Sequence, residues 1–397
     1  MNASKSATQR HWMWAAAAAI AALYVVSTIP TPLYGLYKRE FGFADIVVTE
    51  IYAIYVIGNL TVLLFFGRLS DQIGRKPATL IGLGLLTVAT VVFLVATNVM
   101  FLFVARVISG LAAGLGASAL TAWIAELEPN HDRAHGGAVA SSANLGGLMA
   151  GGLLAGVLAT YCPWPLRLSY VVNLVSAAVL LVVMVRAPET VAHRARSLRE
   201  LSLRPRIGVP KGIRLAFVAP AAMAFSGFAL GGFYAAIAPG ILSHTLHETQ
   251  PIFAGVTVAT FFGAAALAAV LTQKVQGRRV ILIALALLIV GLGLLVLAET
   301  ARSFWLLGLA TIATGASMGL SYRGSLQIVS KIAPDDRRAE LVAAYLLVCY
   351  TANALPVIGV GLLSTATSPE LAHRAFAGAL VVITGAACAI GLKHAPE

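Results

Sequence analysis

The sequence predicts an all-α membrane protein with twelve transmembrane helices in two pseudo-symmetric six-helix bundles. Three observations predict it. Of 397 residues, 59% are hydrophobic and only 11% are charged, against about a quarter in a soluble chain. The apolar runs approach the ~20 residues of a helical crossing and are too long for barrel strands of about ten. The second half also repeats the first. A shift of 203 lays Lys274-Val275-Gln276-Gly277-Arg278-Arg279 over Asp71-Gln72-Ile73-Gly74-Arg75-Lys76. A shift of 205 lays Gly315 and Gly319 over Gly110 and Gly114. Parallel halves of this kind characterise carriers whose binding site lies between them near the bilayer midplane.

In chain order, the first crossing is expected at 13–33, stopped or kinked by Pro30 and Pro32, with Tyr34 and Tyr37 in the interface belt. Its alanine-rich start follows Lys5 and Arg10 like a signal peptide, but it runs on without a cleavage site and is read as retained. Helices two to six are expected at 46–66, 78–96, 100–124, 136–159 and 167–186. Residues 1–190 thus form the first bundle. Eight basic residues between Arg186 and Arg214, with no long apolar run, mark 191–212 as a linker. Helices seven to twelve follow at 213–240, 251–272, 280–298, 303–329, 340–364 and 374–392, so residues 213–397 form the second bundle.

A net charge of +12 could suggest nucleic acid. Most of the Lys and Arg, however, fall in loops on one side, the asymmetry of a cytoplasmic membrane face. That places both termini inside, in a bacterial cytoplasmic (inner) membrane, with lipid rather than nucleic acid around the chain. Three cysteines form no disulfide framework. The eight histidines lie in loops or near helix ends, so neither a buried histidine relay nor a metal site is expected. No Gly-x-x-x-x-Gly-Lys-Ser/Thr occurs, which argues against ATP-driven transport. No cofactor is expected.

The most polar turn is Gly67-Arg68-Leu69-Ser70-Asp71-Gln72-Ile73-Gly74-Arg75-Lys76. It resembles the Gly-x-Leu-x-Asp-x-x-Gly-Arg-Lys loop between the second and third helices of the major facilitator superfamily, with every defined position present. The resemblance implies a secondary transporter working by alternating access. It also implies that Asp71 and Arg75 latch the bundles in the outward-open state against the start of helix eleven, near Arg338 and Glu340. The family often adds an acid at the inner end of helix four, and Glu126 fits. The second copy of the loop has Lys274 where Asp71 sits, so only the first half supplies this anion.

Arg106 lies about two turns inside helix four, where a charge costs about 2.5–3.5 kcal/mol on the insertion scale. It shares a face with Gly110 and Gly114 at i, i+4 and i+8, and small residues at that spacing allow close helix packing. This resembles the family's Arg-x-x-x-Gly-x-x-x-Gly signature, associated with proton coupling. The repeat has Thr311 instead. In helix five, Gly147-Leu148-Met149-Ala150-Gly151-Gly152 resembles the Gly-Pro-x-x-Gly-Gly of the family's exporters, with Leu148 replacing the proline. Export is therefore favoured, without the kink.

Tyr52, Tyr55 and Asn59 form a polar-aromatic face of helix two, and Glu50 points about 180° away from Asn59. Glu50 is nonetheless the carboxylate that comes closest to lying within a helix, and so a coupling candidate. Tyr24, Asn144, Tyr350 and Asn353, with Phe225 and Phe228, sit near helix centres as cavity candidates. An apolar, aromatic cavity suits amphipathic substrates. The expected activity is proton-coupled export (antiport) of small apolar or amphipathic compounds, such as drugs or metabolites, by a monomer. The alternative is a carrier of small organic anions with Arg106 as clamp and no set direction. A membrane enzyme or a non-transporting sensor is remote: the acidic group Asp335, Asp336 and Glu340 repeats a loop of the other half and holds no histidine.

Overall fold

The computed structural model describes residues 2–130, 132–192, 194–195, 200 and 207–391. Half of the linker expected at 191–212 and the tail after Gly391 lie outside the described residues. Among those residues there is no β-strand, and twelve helices are long and apolar enough to cross a membrane.

The first crossing is a pair, α1 (Asn2–Thr28) and α2 (Pro30–Phe41), with a one-residue break at Ile29. The prolines were expected to stop this crossing near residue 33. Instead they open α2, where the missing N–H is unneeded and the fixed φ suits a helix. Helical chain continues to Gly42, whose left-handed φ of 69° ends it. Tyr34 and Tyr37 are consequently interior residues, 2% and 1% exposed, rather than interface residues. Crossing two is α3 (Asp45–Thr61) followed by a π-turn at Val62–Phe66. The short α4 (Leu69–Ile73) leads into α5 (Arg75–Leu94), α6 (Val99–Leu127), α7 (Arg133–Tyr161) and α8 (Leu168–Val185). The Leu148 substitution leaves α7 unbroken, as expected.

The second bundle begins with α9 (Arg214–Ala236) and a short extension, α10 (Ala238–Gly240), ending in a π-turn at Ile241–Thr245. It continues with α11 (Pro251–Leu271), α12 (Gly277–Thr300), α13 (Phe304–Ile332), α14 (Arg338–Ala366) and α15 (Pro369–Gly391). The membrane face carrying α4 is called the loop face below, and its opposite the far face.

Glycines set the helix spacing, and they do so twice. A Cβ on Gly110 would lie 2.1 Å from the Tyr55 carbonyl, and one on Gly58 2.3 Å from that of Val107, so α3 and α6 touch backbone to backbone. In the repeat, Gly315 and Gly319 hold α13 against α11 at 2.3 and 2.1 Å from the Phe261 and Ala265 carbonyls. Gly147 and Gly151 seat α7 on α1 in the same way, at Ala21 and Val25. Helices at the periphery expose apolar stripes instead, as with Val172, Val175, Val179 and Val182 on α8. That face suits lipid and not water.

The two bundles meet along α7 with α11 and α3 with α14. The α7–α11 seam is tight toward the far face, where Gly156 packs on Gly255 and the Ile252 amide donates to the Thr160 hydroxyl at 3.0 Å. Also on the far face, α2 packs against α10 and α11, and Thr49 packs on Gly361. The far face is closed.

Candidate functional site

Three polar features lie between or beneath the helices. On the loop face, Gly74 adopts φ 109°, a conformation that needs glycine, and turns α4 into α5. Arg75 then reaches back, its Nη1 donating to Asp71 Oδ1 at 2.5 Å and Ser70 Oγ at 2.8 Å. Its Nη2 donates to Glu126 Oε1 at the end of α6, at 2.8 Å. The Thr190 hydroxyl donates to the other oxygen of Glu126. Glu189 takes the first two amides of α5, from Arg75 and Lys76, at 3.0 and 3.1 Å. An anion there meets both the free N–H groups and the positive helix end. Burial pushes the Glu189 carboxyl upward. The amides of Val191, Arg75 and Lys76, with the Arg194 guanidinium, outweigh that and hold it below the usual carboxylate range. Glu126, the acid at the loop-face end of α6, thus meets Arg75, within the first bundle. Glu189, 114 residues further along the chain than Arg75, carries no local pattern that would have found it. Gly67 sits at the end of the π-turn, close under the Leu63 carbonyl.

Nearer the far face, Arg106 on α6 is fully buried. Its guanidinium donates to the Ser27 carbonyl at 2.7 Å and to the Tyr34 hydroxyl at 2.5 Å. The rings of Tyr34, Tyr52 and Tyr55 surround it, with centroids 5.9, 5.6 and 5.9 Å away. Its partners among the described residues are a carbonyl and phenols, with no carboxylate, and its Nε has none. Burying an ion costs several kcal/mol, and the cage offsets part of this through cation–π attraction. Tyr55 is held by Ser27 and by Asn59, each at 3.4 Å. Tyr52 reaches across to the second bundle and donates to Asn353 Oδ1 at 3.0 Å. Ser27 at the end of α1 and Tyr34 in α2 were missed, because the prolines concealed that the helix continues.

Between the bundles, on the loop-face side of this cage, lies a half-buried tier of uncharged side chains. Tyr24 sits beside Asn144 and Tyr350. Phe228 meets Tyr350 and Tyr322 edge-on, at 6.3 and 5.7 Å. Tyr24, Asn144, Tyr350, Asn353, Phe228 and Tyr322 all stop short of full burial. Four of these six were candidates for the site, and Phe228 was noted beside them. Tyr322 follows a run of small residues on α13 and gave no signal.

The Major Facilitator Superfamily model matches residues 16–357. The chain belongs to the Major Facilitator Superfamily. It is 30% identical over 103 residues to the quinolone resistance protein NorA of Staphylococcus aureus, a match covering 26% of each chain. It is 35% identical over 121 residues to an uncharacterized MFS-type transporter, Rv1250, of Mycobacterium tuberculosis, covering 30% of this chain and 21% of that one. The matches thus span about a quarter of the length of these curated relatives. A solved bacterial homolog of the human lysosomal transporter Spinster, inward-facing and unoccupied, superposes with a TM-score of 0.70 at 15% identity. The match covers 98% of this chain and 99% of that one.

Within this superfamily fold, Glu50 is exposed on the face of α3 away from Arg106, so it does not join the cage. A buried histidine pairing was not anticipated, yet His373 on α15 is 6% exposed and its Nδ1 lies 2.5 Å from Oε1 of Glu299, itself 4% exposed. Both stand one turn or less from a helix end, where sequence position suggests exposure. The packing of α9 over that end covers them. No group of three or more potential metal ligands occurs among the described residues.

Proposed function

We propose that this membrane transporter exports small amphipathic compounds against a proton gradient, by alternating access between bundles at 1–190 and 213–397. The observation that carries this reading is the uncharged aromatic–amide tier around Tyr24, Asn144, Tyr350 and Asn353. Flat apolar walls with a few hydrogen-bonding groups take amphipathic molecules without demanding one charge. Arg106 is sealed behind three tyrosines and does not reach this tier as a ligand. The partial likeness to NorA supports a drug-like cargo.

If the basic loop face is cytoplasmic, the closed far face makes this the inward-facing state. Asp71 is then engaged within its own bundle by Arg75. In the opposite state the same carboxylate would meet the start of α14 near Arg338, which gives the loop its latch. No catalytic role is assigned to any residue; the protein works as a monomer and as a carrier, not an enzyme.

Purified protein in proteoliposomes with an imposed pH gradient tests the reading. A fluorescent quinolone should move against its own gradient while a lumenal pH dye reports proton counterflow. Quinolone flux with a silent dye replaces antiport with facilitated exchange. Flux of a small carboxylate but of no amphipathic compound replaces the cargo with an anion, the reading favoured by the absence of a carboxylate beside Arg106.

A further inference from the structure

The Glu299–His373 pair takes no part in the cage, the tier or the loop network. Oε1 of Glu299 lies 2.5 Å from Nδ1 of His373, and their side chains are 1% and 7% exposed. Oε2 of Glu299 is buried with no hydrogen-bond partner. A carboxylate so enclosed is tolerated when its charge is neutralised. One proton on the Oε1···Nδ1 line does this, as a Glu⁻–His⁺ pair or as a neutral acid beside a neutral imidazole. Removing that proton strands a negative charge. From α9, Tyr234 is the titratable group turned toward Glu299, and it is already engaged with Thr314 of α13 at 3.0 Å. The charged groups of the same ends, Arg302, Glu370 and Arg374, are exposed.

The pair is also connected to the gate. The His373 ring meets Phe233 edge-on at 5.4 Å, and Phe233 stacks on Phe376 at 4.9 Å. Phe233 lies in the last turn of α9, and its carbonyl accepts from the Ile237 amide at 2.8 Å, where the chain turns into α10. Helix α10 packs on α2 to close the far face. Glu299 is one residue from the end of α12 and His373 is in the first turn or so of α15, so opening of this face is what would admit water.

We propose that Glu299 and His373 form a proton-binding site that is loaded from the far face and is occupied when that face is closed. The step is a transfer from hydronium to the shared Oε1···Nδ1 position, leaving water. Acid on the far side thereby favours closure, which is the proton-driven half of an antiport cycle. This rests on the export reading for its purpose in transport, but its test reads conformation and not flux.

Spin labels at Glu40→Cys and Thr249→Cys, both exposed on the far face and one in each bundle, measure the closed-to-open ratio in nanodiscs from acid to alkaline pH. Cys162→Ser removes the partly accessible thiol. His244→Gln removes the histidine contact that crosses between the bundles on this face, to Asp45 at 3.7 Å, and leaves Asp45 its ion pair with Lys38 at 2.5 Å. The ratio should rise as pH falls, by up to about tenfold per pH unit, the slope of one proton. Glu299→Gln and His373→Gln should each flatten it. A ratio independent of pH, or a slope surviving both substitutions, overturns the site. Because either variant could misfold, 15N-histidine spectra of the unsubstituted chain give an independent reading. Ring-nitrogen shifts that show no hydrogen bond at His373 Nδ1 also overturn it. A flat ratio with intact pH-driven quinolone flux removes this site and leaves the export reading. A sloped ratio with no flux of any compound does the reverse.

Discussion

The two bundles share their packing and differ in the charges they bury. In the first, Arg106 sits on the α6 face that also carries Gly110 and Gly114. In the second, Thr311 holds that place and spends its hydroxyl on the Leu307 carbonyl at 2.7 Å. The second bundle's buried charge is instead the Glu299–His373 pair. A guanidinium keeps its proton at any physiological pH, whereas imidazole is the side chain whose ordinary titration range falls near it. The loops differ in the same sense. The first is tied by carboxylates around Arg75. In the second, Arg323 donates to the Gln273 carbonyl at 2.6 Å and to the Thr272 hydroxyl at 3.1 Å. Glycine positions carry the shared fold, and the departures from the repeat carry the chemistry.

The largest expected effect comes from erasing the first departure. Arg106→Ala should abolish transport in proteoliposomes while the protein still reaches the membrane, since the cage would lose the charge that orders three tyrosines. Full activity would remove Arg106 from the pathway. Next comes the shared part. Gly110→Ala and its repeat Gly315→Ala each drive a methyl against a carbonyl, and overpacking of this kind costs about 1–3 kcal/mol. Both should melt earlier in detergent by similar amounts. Gly84→Ala, with nothing within 4 Å of the new Cβ, should leave the melting temperature unchanged. Unequal losses at Gly110 and Gly315 would break the equivalence of the halves.

What the sequence made legible follows from the range of each interaction. Crossings and the four-residue spacing of Gly110 and Gly114 are periodic within one helix, and a lone Arg106 in an apolar run announces itself. The cage around it does not. Ser27 and Tyr34 come from a crossing whose prolines look like a stop, and only the fold shows Pro30 beginning a helix. Glu299 and His373 are 74 residues apart, each near a helix end, and nothing local distinguishes a buried end from a wet one. Tyr322 was hidden for the same reason, since its neighbours Phe228 and Tyr345 belong to other helices.

The loop comparison gives a smaller effect. Asp71 is the acid that the second copy replaces with Lys274. Asp71→Asn should lower transport several-fold and shift the spin-label distances toward the closed far face, because the latch belongs to the other state. Lys274→Asn should do neither. Equal effects at both positions would make the charges topological and not conformational.

The smallest effect, and the one with a defined pH dependence, is at Glu189. Its carboxyl is held below the usual range in the fold, so it binds its proton less readily there than in the unfolded chain. Stability from such a group is fully present above the unfolded carboxylate value, about 4.3, and disappears as pH falls through the lower folded value. Glu189→Gln keeps the shape but weakens acceptance from the Arg75 and Lys76 amides, and it also removes the favourable charge at the start of α5. The variant should therefore melt below the unsubstituted protein at neutral pH, and the two should converge as the solution is acidified below that range. No matching convergence is expected at Gln276, the uncharged residue preceding α12 in the second bundle. If the Glu189→Gln difference were constant across pH, the carboxylate would be filling space at the end of α8 and not capping α5.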